Sequence, residues 1–123
     1  MNLALESGDQ MKYDKAQLSV QKNKRAKLTL KHTGKMKKEV MGHNFVLLKK
    51  DVDVQKFAVA AIAAKENGYI PAELKGDIIA HTKLLGGGES DTIEFDAPEP
   101  GTYVFICTFP GHYAVMKGEF VVT

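Results

Sequence analysis

Cys107, His112 and Met116 stand within one decapeptide, Cys107-Thr-Phe-Pro-Gly-His112-Tyr-Ala-Val-Met116, and Cys107 is the only cysteine of the 123 residues. A thiolate, an imidazole and a thioether are the soft and borderline donors that copper selects. His43, in Met41-Gly42-His43-Asn44, can supply a second imidazole. Two imidazoles and a thiolate, with a long weak axial thioether, suit Cu(I) and Cu(II) alike, so an electron passes with little rearrangement. The residues therefore predict one mononuclear copper site. Its ligands would be His43, Cys107 and His112, with Met116 axial and the Gly42 carbonyl opposite it, where a glycine lets the backbone approach closely.

Each residue also has an ordinary reading. A lone cysteine is often a small buried hydrophobe, a histidine beside Pro-Gly a turn residue, and a methionine a core filler. Jointly these readings are weaker. Given the cysteine, a histidine at +5 and a methionine at +9 coincide by chance about once in a thousand at this composition. Zinc accepts a cysteine and two histidines, but a thioether is a poor zinc ligand.

Strands must position such ligands. Leu18–Val20 and Ala26–His32 alternate apolar and polar residues, and Asn44–Leu48 is a short apolar run. Thr92–Phe95, Thr102–Cys107 and Glu119–Thr123 read the same way, with Gly, Pro and Asp clusters between them. This spacing predicts an antiparallel sandwich or barrel. On this reading Cys107 ends one strand, Pro110-Gly111 turns the chain back, and Met116 stands at the mouth of the next strand. His43 would start another. One segment breaks the pattern: Asp53–Asn67 carries Val54, Phe57 and Ala61 on one helical stripe, with Asp53 as N-cap and Asn67-Gly68 as stop. It is expected as an inserted helix packed outside the sandwich.

The length and a 44% apolar content fit a single domain, residues 1–123, with one hydrophobic core. No apolar run is long enough to span a bilayer, and Met1–Glu6 lacks the basic start and apolar stretch of a signal peptide. The net charge of +2 hides an asymmetry. Residues 1–50 hold twelve Lys and Arg against four Asp and Glu, a balance of +8; residues 51–123 hold five against eleven, a balance of −6. The lysines alternate with apolar residues, as in Lys27-Leu28-Thr29-Leu30-Lys31, so they are expected on the wet face of strands. No nucleic-acid partner is expected, because aromatic and basic residues are not interleaved.

The decapeptide and Met41–Leu47 together resemble the cupredoxins, the type 1 blue copper family, and within it the azurin branch. Ile79–Glu89, with His81-Thr82-Lys83 and Gly86-Gly87-Gly88, and Gly8-Asp9-Gln10-Met11 resemble it too. The resemblance implies an all-β, eight-stranded Greek-key β-sandwich with one helix inserted around residues 53–67. It implies a copper cofactor, one type 1 ion per chain, on Gly42, His43, Cys107, His112 and Met116. Around these ligands, the backbone N–H groups of Asn44 and Phe109 would point at the Cys107 sulfur, and the Asn44 side chain would tie its loop to Thr108.

The resemblance further implies a docking patch of Met11, Met36, Met41, Phe109, Pro110 and Gly111 around His112, rimmed by Lys37 and Lys38. Partners would be redox proteins such as cytochromes or a copper or haem reductase, met by a monomer in the bacterial periplasm. His32 would be a partly buried, pH-sensitive group or a satisfied structural histidine, and His81 a surface residue. Two departures stand out. Leu3 and Lys24 replace the azurin cysteines of a disulfide near the N-terminus, a staple typically worth roughly 2–4 kcal/mol. Phe45 replaces a buried tryptophan.

The expected function is electron transfer by a blue copper protein cycling Cu(II)/Cu(I). The alternative is a copper carrier or buffer without a redox role, which would need an exchangeable rather than a strand-anchored site. An enzyme is not expected: there is no second metal cluster, nucleophile–base pair or phosphate-binding loop.

Overall fold

The alternation in Arg25–His32 places Ala26, Leu28, Leu30 and His32 on one face, and in the computed structural model, which describes residues 1–123, all four are buried. Eight strands form two sheets. They are β1 (Asn2–Ser7), β2 (Gln17–Val20), β3 (Arg25–His32), β4 (Val46–Leu48), β5 (Ile78–His81), β6 (Ser90–Asp96), β7 (Gly101–Ile106) and β8 (Lys117–Val122). One sheet has the order β1-β3-β6 and the other β2-β8-β7-β4-β5. β1 runs parallel to β3, and β2 parallel to β8. Parallel neighbours cannot be joined by a tight hairpin; here the chain alternates between sheets, so each parallel pair is reached by a crossover.

Inward residues of both sheets meet in one core that includes Leu5, Leu28, Leu30, Leu47, Phe105 and Phe120, together with Cys107 and Met116. Each such side chain, fully buried, contributes about 1.5–3 kcal/mol. Tyr103 closes the turn before β7: its hydroxyl donates to the carbonyl of Glu99, four residues upstream. The charge asymmetry of the two halves is resolved on the outer face of the smaller sheet. Arg25 pairs with Asp96 at 3.0 Å, and Lys27 stands opposite Glu94 in register. Exposed pairs of this kind add little stability, but they set acidic neighbours beside the basic strand.

The inserted helix is shorter than expected. α1 is a four-residue turn at Lys38–Met41, and α2 spans Val54–Ile62. The Asp53 carboxylate caps α2 by accepting from the Lys56 N–H at 3.1 Å. Past Ile62 the chain tightens into a 3-10 turn at Lys65–Asn67, and Gly68 ends it in the left-handed region at φ 63°. Phe57, Ala58 and Ala61 are buried. Phe57 and Ala58 pack with Val46, Leu48, Ile70 and Ile106 on the outer face of the larger sheet.

β1 and β5 were not expected from the alternation, nor was α1. β1 buries Ser7 where an apolar residue would mark the pattern, and β5 keeps three of its four residues only half-buried. β4 starts at Val46, two residues later than the apolar run suggests. His43 therefore lies outside the strand, in an isolated bridge with Leu85. Leu3, where the resemblance implies a cysteine, packs as a half-buried side chain against the core, and Phe45 is fully buried.

Candidate metal centre

Three of the predicted ligands, Cys107, His112 and Met116, share one loop, and both of its ends are anchored. β7 delivers Cys107, whose N–H donates to the Met116 carbonyl at 3.0 Å, closing the loop where β8 begins. Inside it, the His112 N–H donates to Phe109 O at 3.0 Å, and the Met116 N–H returns to His112 O at 2.7 Å. Gly111 makes the turn at φ 84°, a left-handed conformation that glycine adopts without strain.

His43 arrives from the other side. Its N–H and C=O both pair with Leu85, at 3.1 and 2.8 Å. Gly42 before it must be glycine for reasons of space. A Cβ there would sit 2.6 Å from Lys38 O and 2.9 Å from a Phe109 ring carbon. The Gly42 carbonyl lies 3.8 Å from the Cys107 sulfur.

The side-chain donor atoms of His43, Cys107 and His112 lie within 4.8 Å of one another, and all three residues are buried. The Cys107 sulfur is 3.6 Å from His112 Nδ1. The His43 Nε2 stands 2.6 Å from the Gly8 carbonyl. A carbonyl can only accept, so Nε2 carries the proton and Nδ1 is a bare lone pair. That Nδ1 is buried and has no hydrogen-bond partner. An unmet buried acceptor is costly in an ordinary core. Here it is the arrangement of a metal-ligating imidazole whose other nitrogen is fixed by a carbonyl.

The electrostatics agree. Burial pushes the Cys107 thiol up to about 12, partly offset by the nearby backbone N–H groups of Asn44 and Phe109. Burial lowers His112 to about 4, with the neighbouring His43 adding to the effect. His43 is lowered by burial too, against the pull of its bond to Gly8. At neutral pH the cage thus holds two neutral imidazoles and a thiol, and a cation would compensate the thiolate that burial disfavours. The residues fit a soft divalent or monovalent metal ion.

Asn44 ties the two halves together. Its Nδ2 donates to Thr108 Oγ1 at 2.7 Å, and the Thr108 N–H donates to its Oδ1 at 2.8 Å. Met116 is fully buried in the core cluster beside Cys107. Of the predicted patch, Met11, Met36 and Gly111 are exposed, and Met41, Phe109 and Pro110 are half-buried. His112 is itself 3% exposed.

His32 is fully buried rather than partly so, stacked on His43 with centroids 4.6 Å apart. Its Nδ1 accepts from the Gly34 N–H at 3.1 Å, so its Nε2 donates to Met41 O at 2.8 Å. His81 is exposed, as expected. Three contributors escaped the sequence reading: Gly8, through its carbonyl, and the side chains of Tyr13 and Thr82. The resemblance around Gly8-Asp9 was the one available signal for the first.

A family model described as copper binding proteins of the plastocyanin/azurin family matches residues 1–123. An azurin from Bordetella pertussis is 48% identical over 117 residues, covering 89% of this chain and 75% of the relative. Azurin-2 from Alcaligenes xylosoxydans xylosoxydans is 45% identical over 121 residues, covering 93% and 91%. Among solved structures, the reduced auracyanin of Roseiflexus castenholzii superposes with a TM-score of 0.88 at 40% identity, covering 99% of this chain and 96% of that one. An azurin from Methylomonas sp. strain J superposes with a TM-score of 0.89 at 31% identity, covering 99% and 97%.

Proposed function

The chain belongs to the plastocyanin/azurin family of copper-binding proteins, and from that premise we infer that it is a blue copper electron-transfer protein. The observation that carries the inference is the buried trio of His43, Cys107 and His112, with a histidine nitrogen left bare toward the other donors. Bound copper supplies a one-electron Cu(II)/Cu(I) couple.

The chain's own residues hold the site. His43 and His112 present neutral nitrogens, and Cys107 would give up its thiol proton when the metal binds. The Asn44 and Phe109 N–H groups would then hold the thiolate in place. Met116 and the Gly42 carbonyl, which lies 3.8 Å from the Cys107 sulfur, would complete the donor set. Anchoring on β7, β8 and the Leu85 bridge restrains the donors, which suits a site that changes charge without changing shape.

His112 would be the exit route for the electron. Its loop is exposed at Gly111, with Phe109 and Pro110 half-buried beside it in sequence, and Met11 and Met36 are exposed too. Methionine suits surfaces that must fit more than one partner. A redox protein such as a cytochrome or a copper or haem reductase would dock there. The protein would work as a monomeric carrier rather than an enzyme, in the periplasm; no helix is long and apolar enough to cross a membrane.

Absorption and electron paramagnetic resonance spectra of the copper-loaded protein test this reading. An intense red absorption that vanishes in Cys107→Ala is expected, and Met116→Leu should mainly shift the potential. A copper-loaded, oxidised sample that stays colourless would overturn it.

A further inference from the structure

Between His43 and the first ladder residue of β4, the Asn44–Phe45 peptide has no strand partner for its N–H or for the Asn44 carbonyl. Side chains take both. The Tyr13 hydroxyl donates to the Asn44 carbonyl at 2.6 Å, and the Phe45 N–H donates to Thr82 Oγ1 at 3.0 Å. Both side chains are buried. The Thr82 hydroxyl is itself oriented, donating to Lys83 O at 2.9 Å. This peptide is thus fully satisfied by two hydroxyls from distant parts of the chain.

Tyr13 is well placed to hold it. The loop that carries Tyr13 is closed by its bridge to Ser7 and by the bond from Ser7 Oγ to Lys12 O at 2.7 Å. The same loop supplies the Gly8 carbonyl that accepts from His43. The Tyr13 ring lies edge-on to Phe105, two residues before Cys107, with centroids 5.3 Å apart. One loop therefore grips a ligand, the residue after it, and the strand that brings the cysteine.

We propose that Tyr13 is a positioning residue of the copper centre: with Thr82 it fixes the Asn44–Phe45 peptide, and so holds Asn44, which is tied to the Cys107 loop through Thr108, with its N–H near the Cys107 sulfur. The proposal rests on the copper reading, and its test has one arm that needs no copper. A hydrogen bond to the thiolate withdraws electron density from sulfur. Losing it makes the thiolate a stronger donor to Cu(II) and lowers the potential.

Tyr13→Phe keeps the ring on Phe105 and removes only the hydroxyl. In the metal-free variant, amide hydrogen exchange at Asn44 should quicken about five-fold, equivalent to about 1 kcal/mol for a neutral hydrogen bond. In the copper-loaded variant the thiolate-to-copper band should shift and the reduction potential fall. Thr82→Val should act in the same direction, and Thr82→Ser should restore the unmodified values. If Tyr13→Phe lowers only the melting temperature and leaves Asn44 exchange, band and potential unchanged, Tyr13 is a packing residue and the proposal is overturned. Should Tyr13→Phe not fold, the same unchanged readings in Thr82→Val overturn it. A wild-type protein that stays colourless with copper would sink the copper reading alone, and the metal-free exchange data would still decide for or against the clamp.

Discussion

Asn44 and Thr108 exchange two hydrogen bonds, at 2.7 and 2.8 Å, across 64 positions of sequence, and each follows a ligand directly in the chain. The pair joins the His43 segment to the Cys107 loop without any metal. Asn44→Ala would leave the Thr108 N–H buried and unpaired and strip its hydroxyl of a donor. A loss of about 2–4 kcal/mol in metal-free stability is expected, from two unmade buried bonds. Urea unfolding of the metal-free protein measures it, and Thr108→Ser, which keeps both bonds, should stay close to wild type.

Copper loading should expel about one proton per chain near neutral pH. The Cys107 thiol, raised by burial to about 12, is protonated there, while burial keeps His112, at about 4, neutral already. Metal binding then displaces only the thiol proton. Titration calorimetry in two buffers of different ionisation heat gives the count. A release of zero would mean that Cys107 is not deprotonated on binding.

Without metal, stability should fall on both sides of neutrality. His43 and His112 have folded pKa values below the ordinary 6.5, from burial first. The unfolded chain therefore takes up protons earlier, and stability drops as the pH falls from 6.5 toward about 4. Cys107 moves the other way, from 9.0 to about 12, so the unfolded chain releases its proton first and stability drops as the pH rises through that interval. The slope is at most about 1.4 kcal/mol per pH unit for each group. Denaturant unfolding of metal-free wild type and His112→Ala across this range checks it: the variant should lose part of the acid limb and keep the alkaline one.

Gly42→Ala should destabilise the protein by steric conflict alone. Its backbone, at φ −71° and ψ 144°, is open to any residue. The added methyl group would meet Lys38 O at 2.6 Å and Phe109 at 2.9 Å, so α1 or the ligand loop must shift. Forced overpacking of this kind costs about 1–3 kcal/mol. Chemical denaturation reads the loss, and the copper-loaded spectrum should change with it because the Gly42 carbonyl lies beside the sulfur.

The strands that alternate were legible, and so was the Asp53 cap, because local patterning and capping chemistry are written within a few residues. The donor trio was legible because cysteine and histidine are scarce here and their spacing is distinctive. β1 escaped notice because Ser7, a polar residue, faces inward and accepts its burial by bonding Lys12 O. The roles of Gly8, Tyr13 and Thr82 escaped because no chemistry in the residues around them marks them. A backbone carbonyl has no side-chain signature, and a buried tyrosine or threonine reads as ordinary core. Their contributions exist only through contacts 31 to 37 residues away in sequence.

Those separations bear on when the centre can form. Gly8 to His43, Tyr13 to Asn44 and Asn44 to Thr108 each close a long stretch of chain, and such closures carry an entropy cost that local contacts do not. The ligand loop alone is local: Cys107, His112 and Met116 are neighbours before either sheet pairs. On the copper reading, an unfolded or newly made chain would therefore offer the metal a flexible three-donor hook. The fourth corner, the fixed imidazole tautomer and the restrained thiolate arrive only with the completed sandwich.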